Sequence, residues 1–262
     1  MKVAADRKAL VTGGASGFGR AIALGLRDAG AQVAIVDVNA ELVDRTAAEL
    51  GSGTLGIQAD VRSHAEVSAA VGQAVEAFGG LDTLVVSAGV FDMGELESVT
   101  EERWDRTLDV NLKGAFLVTQ AAMPHLRSSG RGRVVMISSD AGKRGFEALA
   151  PYTASKFGLN GLMESVAAEV ARDNVTVNTL CPVGCPTTGM GQEVLAEKIA
   201  RTGDSPDAIL ARAARTNPLG RNVLESDVAD AVLFLVSEHS SFLTGVALDV
   251  DGGASLGSVP GV

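Results

Sequence analysis

Lys8-Ala-Leu-Val-Thr12-Gly13-Gly14-Ala15-Ser16-Gly17-Phe18-Gly19 is an apolar run that empties into a glycine-rich turn. Lys8–Thr12 reads as a buried strand. Gly17–Ala29 reads as a helix carrying Ile22, Leu24 and Leu26, with Gly30 as its stop. Glycines 13, 17 and 19 are spaced G-x-x-x-G-x-G. Missing side chains let the backbone approach a pyrophosphate, and the following helix offers unpaired N–H groups and the positive end of its dipole. A plain tight turn uses the same residues, so the spacing alone leaves both readings open. The position after a first strand and before a helix favours the phosphate-binding one.

Outward from this turn the same alternation continues. Strands are expected at Gln32–Asp37, Leu55–Ala59, Thr83–Val86, Arg133–Ser138, Val175–Leu180 and Val246–Asp249. Helices are expected at Ala40–Leu50, Ala65–Phe78, Glu101–Arg127, Tyr152–Arg172 and Ser226–Ser237, with Pro124 ending or kinking the long one. Strands that alternate with helices imply βαβ units with right-handed crossovers. The expected architecture is therefore α/β: one Rossmann-type, doubly wound, mostly parallel sheet of about seven strands with helices on both faces, in a single domain spanning 1–262. Pro182–Leu219 is the one long stretch outside the alternation, and its prolines, glycines and polar runs suggest a mobile lid over a substrate.

Composition narrows the function. Of 262 residues, 46% are hydrophobic, enough for a sizeable core, and the formal net charge is −10. That charge argues against nucleic acid as a partner, which calls for a basic footprint. Met1–Leu10 lacks the apolar core of a signal peptide, and no run of about 18 apolar residues suggests a membrane span. A cytoplasmic protein is expected, with Cys181 and Cys185 as reduced thiols. No metal is expected. Cys181-x-x-x-Cys185 has no histidine nearby, and His64, His125 and His239 are scattered. Ser139 lacks the G-x-S-x-G setting of a hydrolase nucleophile. The charged run Asp140–Glu147 reads as a solvated loop.

Two further places carry chemistry. Asp37 ends the second strand at the spacing where a carboxylate accepts hydrogen bonds from adenosine ribose hydroxyls. A 2′-phosphate there would meet a like charge, and the turn around Ser16 holds no Arg or Lys to offset it, so NAD is the expected cofactor. Tyr152 and Lys156 stand four residues apart on one helical face. A free tyrosine titrates near ~10, and a neighbouring ammonium lowers that value. The pair makes a sensible general acid/base, although spacing alone also fits a packed tyrosine beside a solvated lysine.

Taken together, Thr12–Gly19, Asp60-Val61, Ser87-Ala88-Gly89, Asn111-Leu-Lys-Gly114, Ile137-Ser-Ser139, Tyr152-x-x-x-Lys156 and Asn178 followed by Pro182 resemble the short-chain dehydrogenase/reductase family, in the same order and across nearly the whole chain. The resemblance implies a set of catalytic roles. Tyr152 would be the acid/base, and Lys156 would bind the nicotinamide ribose and depress the tyrosine pKa. Ser139 would hold the substrate oxygen, with Ser138 as its alternative. Asn111 would hold a helix break and a relay water. Gly13, Ser16, Gly17, Phe18, Gly19, Asp37, Asp60, Val61, Ala88 and Gly89 would line the cofactor. Pro182, the backbone of Cys185 and the hydroxyl of Thr187 or Thr188 would meet its carboxamide end. Two departures stand out: Ser87 where the family has Asn, and Pro182-Val183-Gly184 where it has Pro-Gly.

The implied activity is hydride transfer between NAD and a secondary alcohol or ketone. A 3-oxoacyl-thioester reductase and a non-catalytic NAD-binding sensor or scaffold are the alternatives. Substrate choice is expected to lie in Phe91–Glu95, Asp140–Ala150 and Pro182–Leu219. The resemblance also implies a homotetramer, with interfaces on the helices beginning near Glu101 and Tyr152 and on Leu243–Leu256.

Overall fold

A computed structural model describes residues 4–256; residues 1–3 of the Met1–Leu10 stretch lie outside it. Among the described residues the strands are β1 Lys8–Thr12, β2 Gln32–Asp37, β3 Thr54–Gln58, β4 Thr83–Val86, β5 Arg133–Ile137, β6 Thr176–Pro182 and β7 Ala247–Val250. They form one sheet in the order β3-β2-β1-β4-β5-β6-β7, with every neighbouring pair parallel. The helices are α1 Gly17–Asp28, α2 Ala40–Leu50, α3 His64–Phe78, α4 Glu101–Leu108, α5 Gly114–Ser128, α6 Ala150–Val170, α7 Gly189–Thr202, α8 Pro206–Thr216 and α9 Glu225–Val236.

The period of two along each strand divides the core into two layers. Leu10, Ala34, Leu84, Val134, Met136 and Val177 point to one face and pack under α3, α5 and α6. Ala9, Val11, Val33, Ile35, Val85, Val135 and Leu180 point to the other, under α1 and α9. Consecutive apolar residues such as Leu10-Val11 are thus both buried, on opposite sides. Strand order reverses between β1 and β4. In such sheets the crevice at the carboxyl ends of the strands beside the reversal is where ligands bind.

Two expectations are corrected. The helical stretch does not end at Pro124, which sits exposed inside α5 while Ala122, Met123 and Leu126 anchor the helix around it. The interruption lies earlier, where Asp109–Lys113 widens into a π-turn between α4 and α5. Pro182–Leu219 is not an irregular loop but carries the helix pair α7 and α8. Thr188 and Ser205 cap these helices, Pro206 occupies the first turn of α8, and Gly203 (φ +72°) stops α7 in the left-handed region. No helix among the described residues is long and apolar enough to cross a membrane.

Candidate active site

The glycine turn sits at the end of β1 with its backbone pressed into its surroundings. Gly13 has φ +63°, and a Cβ there would lie 2.8 Å from the Ala88 backbone. A Cβ on Gly19 would lie 2.0 Å from the Gly13 carbonyl oxygen. Both positions therefore admit glycine alone. Thr12 Oγ1 accepts hydrogen bonds from the amides of Ser87 (3.2 Å) and Ala88 (3.3 Å), which joins the turn to the segment after β4. The backbone of Ser87 makes this tie, so the shorter side chain at that position leaves it intact. Ser16 begins α1 without a side-chain cap. The first-turn amides around Phe18 and Gly19 are the kind of donor set that holds a phosphate.

Asp37, half-buried at the end of β2, turns towards this cradle. Its carboxylate accepts from Ala15 N (3.4 Å) and Asn39 N (3.3 Å). Arg20 and Arg45, beside Ala15, line a cavity of about 300 Å³, and Arg20 is paired with Glu49 at 2.8 Å. Asp60 is bonded to Arg62 at 2.6 Å, which holds its carboxyl below the usual range. Val61 is buried against Gly114, where a Cβ would meet its Cγ2 at 2.8 Å.

The chemical end lies across the crevice. Ser138 is turned inward: its Oγ faces the Lys156 carbonyl at 3.4 Å and would sit 2.6 Å from a Cβ on Gly142. Ser139 is the serine on the Tyr152 side. Its Oγ accepts from Ala141 N (3.1 Å) and donates to Asp140 Oδ1 (2.9 Å). The Tyr152 ring is buried and meets Phe91 edge-on, with centroids 5.1 Å apart. Lys156 Nζ donates to the Ile137 carbonyl at 2.9 Å and lies 5.6 Å from the Tyr152 ring centroid.

In the cofactor-free chain burial acts against the lowering of the Tyr152 pKa expected from Lys156. Burial pushes the phenol up to about 12, with the Asp140 charge adding to the rise and the Ser139 hydroxyl opposing it. Burial likewise pulls Lys156 down to about 8. The low-dielectric interior penalises both charged forms. The ammonium donates to the Ile137 carbonyl and lies over the ring.

Asn111 lies in the π-turn, as the expected helix break requires. Its side chain is fully engaged: Oδ1 accepts from Val90 N (2.8 Å), and Nδ2 donates to Val90 O and Ser155 Oγ (both 3.0 Å). Gly89 fills the gap between it and Lys156, since a Cβ there would meet Asn111 Oδ1 at 3.4 Å and Lys156 Nζ at 3.7 Å.

At the end of β6, Pro182 pairs with Val250. Cys185 is buried and its Sγ lies 3.3 Å from both the Val223 carbonyl and Thr187 Oγ1. The Thr188 hydroxyl donates to the Cys185 carbonyl (2.9 Å) and accepts from Gly191 N (3.0 Å) as the cap of α7. That leaves the exposed Thr187 as the hydroxyl open to a ligand. Thr188 also packs over the glycine turn, 3.5 Å from a Cβ on Gly17. A cavity of about 200 Å³ lined by Asn217, Arg221, Val223, Asp249, Val250 and Asp251 lies at β7 and shares Val223 and Val250 with this end of the site.

Three features were not legible in the sequence: Thr12 as the tie to Ser87 and Ala88, Asp140 as the partner of Ser139, and an ion pair from α7. In that pair Arg201 binds Glu95 at 2.8 Å and lies 3.8 Å from Glu147. Charge periodicity signals none of them: the Thr12 tie and the Arg201 pair join segments far apart in the chain, and Asp140 bonds its own neighbour through a loop conformation that the sequence does not show. No group of three or more His, Cys, Asp or Glu among the described residues is placed to hold a metal ion.

A parallel sheet whose strand ends carry a glycine cradle on one side and a Ser–Tyr–Lys cluster on the other defines a dinucleotide-dependent oxidoreductase class. The chain belongs to the short-chain dehydrogenase/reductase family and is an oxidoreductase acting on CH–OH groups. The family model described as enoyl-(acyl carrier protein) reductase matches residues 13–255. The chain is 36% identical to 2-(S)-hydroxypropyl-CoM dehydrogenase 3 of Xanthobacter autotrophicus, over 93% of this chain and 94% of that protein. It is also 36% identical to trans-4-hydroxycyclohexanecarboxylate dehydrogenase of Sinomonas cyclohexanicum, over 97% and 95%. Among solved structures, an actinorhodin polyketide ketoreductase variant with NADPH superposes with TM-score 0.90 at 34% identity, covering 95% of this chain and 97% of that one.

Proposed function

We propose that the chain oxidises a secondary alcohol, or reduces the corresponding ketone, with NAD, using Ser139, Tyr152 and Lys156. The observation that carries this reading is the convergence of these three side chains on the crevice beside the glycine turn, with Gly89 giving Lys156 clearance. When bound, the nicotinamide supplies the hydride acceptor or donor. The chain's own residues do the rest. Gly13, Gly17 and Gly19 admit the pyrophosphate, Ser16, Phe18 and the α1 amides bind it, and Asp37 takes the ribose hydroxyls. Asp60, Val61 and Ala88 flank the adenine side, and Pro182, Cys185 and Thr187 the carboxamide side. Ser139 orients the substrate oxygen. Tyr152 takes its proton on oxidation and returns it on reduction. Lys156 binds ribose and passes the proton outward past Asn111.

NAD is preferred because the Asp37 carboxylate occupies the place where a 2′-phosphate would come. Arg20 and Arg45 favour NADP as a second reading, but Glu49 already neutralises one of them. In Asp37→Ala, kcat/KM with NAD should fall and that with NADP should rise as the two arginines become usable. A wild-type enzyme with higher kcat/KM for NADP contradicts this assignment.

The pair α7–α8 serves as the substrate lid. α7 buries no residue of its own, and α8 buries only Ile209 among its residues, so little apolar contact holds them down. The Arg201 pair to Glu95 and Glu147 latches α7 to the loops flanking Tyr152. Hydrogen exchange should be fastest in α7 in the free protein, slow when NAD and substrate are bound, and faster still in Arg201→Ala. Equal, strong protection with and without ligands rules the lid out.

A homotetramer fits the remaining apolar surface. Trp104, Phe116 and Phe157 are exposed on α4, α5 and α6, and Phe242, Leu243, Val246, Leu248 and Leu256 along the β7 edge.

A further inference from the structure

We propose that Asn160 is a positioning residue of this site: its side-chain amide pins the turn that carries Ser139 onto α6, and so sets where the Ser139 hydroxyl stands relative to Tyr152. The inference rests on the reading of Ser139 and Tyr152 as the pair that handles the substrate oxygen, and it deepens that reading by naming what holds the two in register.

Ser139 and Tyr152 stand on different elements. Ser139 opens the short turn Asp140–Gly142, where its Oγ accepts from Ala141 N at 3.1 Å, while Tyr152 and Lys156 stand on α6. The turn meets α6 at its last residue. A Cβ on Gly142 would lie 2.6 Å from Ser138 Oγ, 2.8 Å from Asn160 Nδ2 and 3.0 Å from the Lys156 carbonyl oxygen. Only glycine permits so close an approach of the two backbones. Asn160 follows Lys156 by one helical turn on the same face. Its Nδ2 donates to the Gly142 carbonyl at 3.0 Å. The turn is thus anchored at both ends: by the Ser139 cap at its start and by Asn160 at its finish.

Packing alone gives no reason for an amide at this place. Asn160 is 8% exposed, and among the described residues its Oδ1 has no hydrogen-bond partner. A buried carbonyl oxygen without a partner works against folding, and an apolar side chain of similar size fills such a place without that cost. The half of the amide that is used is the N–H on Gly142. Neighbouring donors do not take its place. Lys156 Nζ is given to the Ile137 carbonyl at 2.9 Å, and Ser138 Oγ to the Lys156 carbonyl at 3.4 Å. From β6, Cys181 brings a thiol 4.0 Å from Asn160 Nδ2. The Gly142 carbonyl is therefore held to α6 by Asn160, one helical turn beyond Lys156 and two beyond Tyr152.

Asn160→Leu keeps the bulk and removes the donor. Its kcat should fall by about 10²-fold, the loss that a misplacement of about 1 Å causes. NAD should still bind with the parent stoichiometry and affinity, and the midpoint of denaturant unfolding should stay at or above the parent value. A merely structural role would lower the midpoint and the number of NAD sites together and leave kcat per site unchanged. Asn160→Gln, which keeps the donor, should recover part of the rate. Gly142→Ala pushes the same contact apart from the other side and should give the same signature, so it decides the matter if the Leu variant does not fold. The double variant should be no slower than the slower single, because both changes break one contact. Parent kcat per NAD site in Asn160→Leu, or in Gly142→Ala, overturns the proposal. Ser139→Ala separates this from the reading beneath it. If Ser139→Ala keeps its turnover, the role of Ser139 falls and takes the proposal with it. If Ser139→Ala loses turnover while Asn160→Leu keeps it, the role of Ser139 stands and the role of Asn160 falls.

Discussion

Tyr152→Phe loses about 10²–10⁴-fold in kcat, the contribution expected of a positioned general acid/base, while cofactor affinity stays near the parent value. Phe keeps the ring that packs edge-on against Phe91, so the wall of the site survives. What disappears is the hydroxyl, the one group beside Ser139 that can take a proton from an alcohol and is held against Lys156. The cradle of Gly13 and Gly19, with Asp37 beyond it, is untouched by the change. Steady-state rates and NAD titration measure the two effects separately. A Phe variant that keeps most of its turnover moves the proton to Ser139 or to a water.

Lys156→Met should also abolish useful turnover, and it should make the cofactor-free chain more stable. Lys156 is buried, and its pKa falls from 10.5 to about 8 on folding. Between those values the folded chain holds fewer protons at this site than the unfolded chain. This group therefore makes stability rise with pH across that window, and its opposition to folding is fully present below pH 8. At 1.36 kcal/mol per unit this opposition is at most about 3 kcal/mol, reduced by the lost hydrogen bond to Ile137. Met fills a similar volume without charge. Denaturant unfolding at pH 7 should show the variant ahead of the parent, with the gap closing towards pH 10.5. A variant less stable than the parent at pH 7 contradicts the burial argument. NAD binding should weaken in the same variant, unlike in Tyr152→Phe. Tyr152 acts on stability in a different window. Above pH 10 the unfolded chain loses its phenol proton first, so this group makes stability fall with pH from 10 towards 12.

The sheet was legible because local signals and global fold agree in it. Most strands are short apolar runs ended by Gly, Asp or Ser, and the alternation with helices permits little besides a parallel sheet. Asp37 is placed by its strand end, but the Tyr152–Lys156 pair needs the family resemblance as well, because its spacing also fits a packed tyrosine beside a solvated lysine. Helices α7 and α8 are not expected from the sequence, although Thr188, Ser205 and Pro206 carry their starts. Weak apolar periodicity hides α7, a helix that buries none of its residues. The break at Asp109–Lys113 has no breaker residue. Asn111, bonded in both directions to Val90, holds it from outside the helix. Spacing supplies the ammonium's neighbourhood but not the burial of Tyr152 and Lys156, which is the largest cause acting on both groups in the free chain. Asp140 lay inside a charged run, where only the bond to Ser139 separates it from its solvated neighbours.

The most direct measurement is the ionisation of Tyr152, the only tyrosine of the chain, in the free protein and in its NAD⁺ complex, followed through tyrosine labelled with ¹³C at Cζ. The free protein should titrate near 12. A base working near neutral pH needs a much lower value, and the positive charge of the oxidised cofactor is the available cause. The complex should therefore titrate several units lower, at the same pH as the rising limb of alcohol oxidation. A Tyr152 resonance that still titrates near 12 with NAD⁺ bound, in a protein that oxidises the alcohol at pH 8, would contradict its role as the proton carrier.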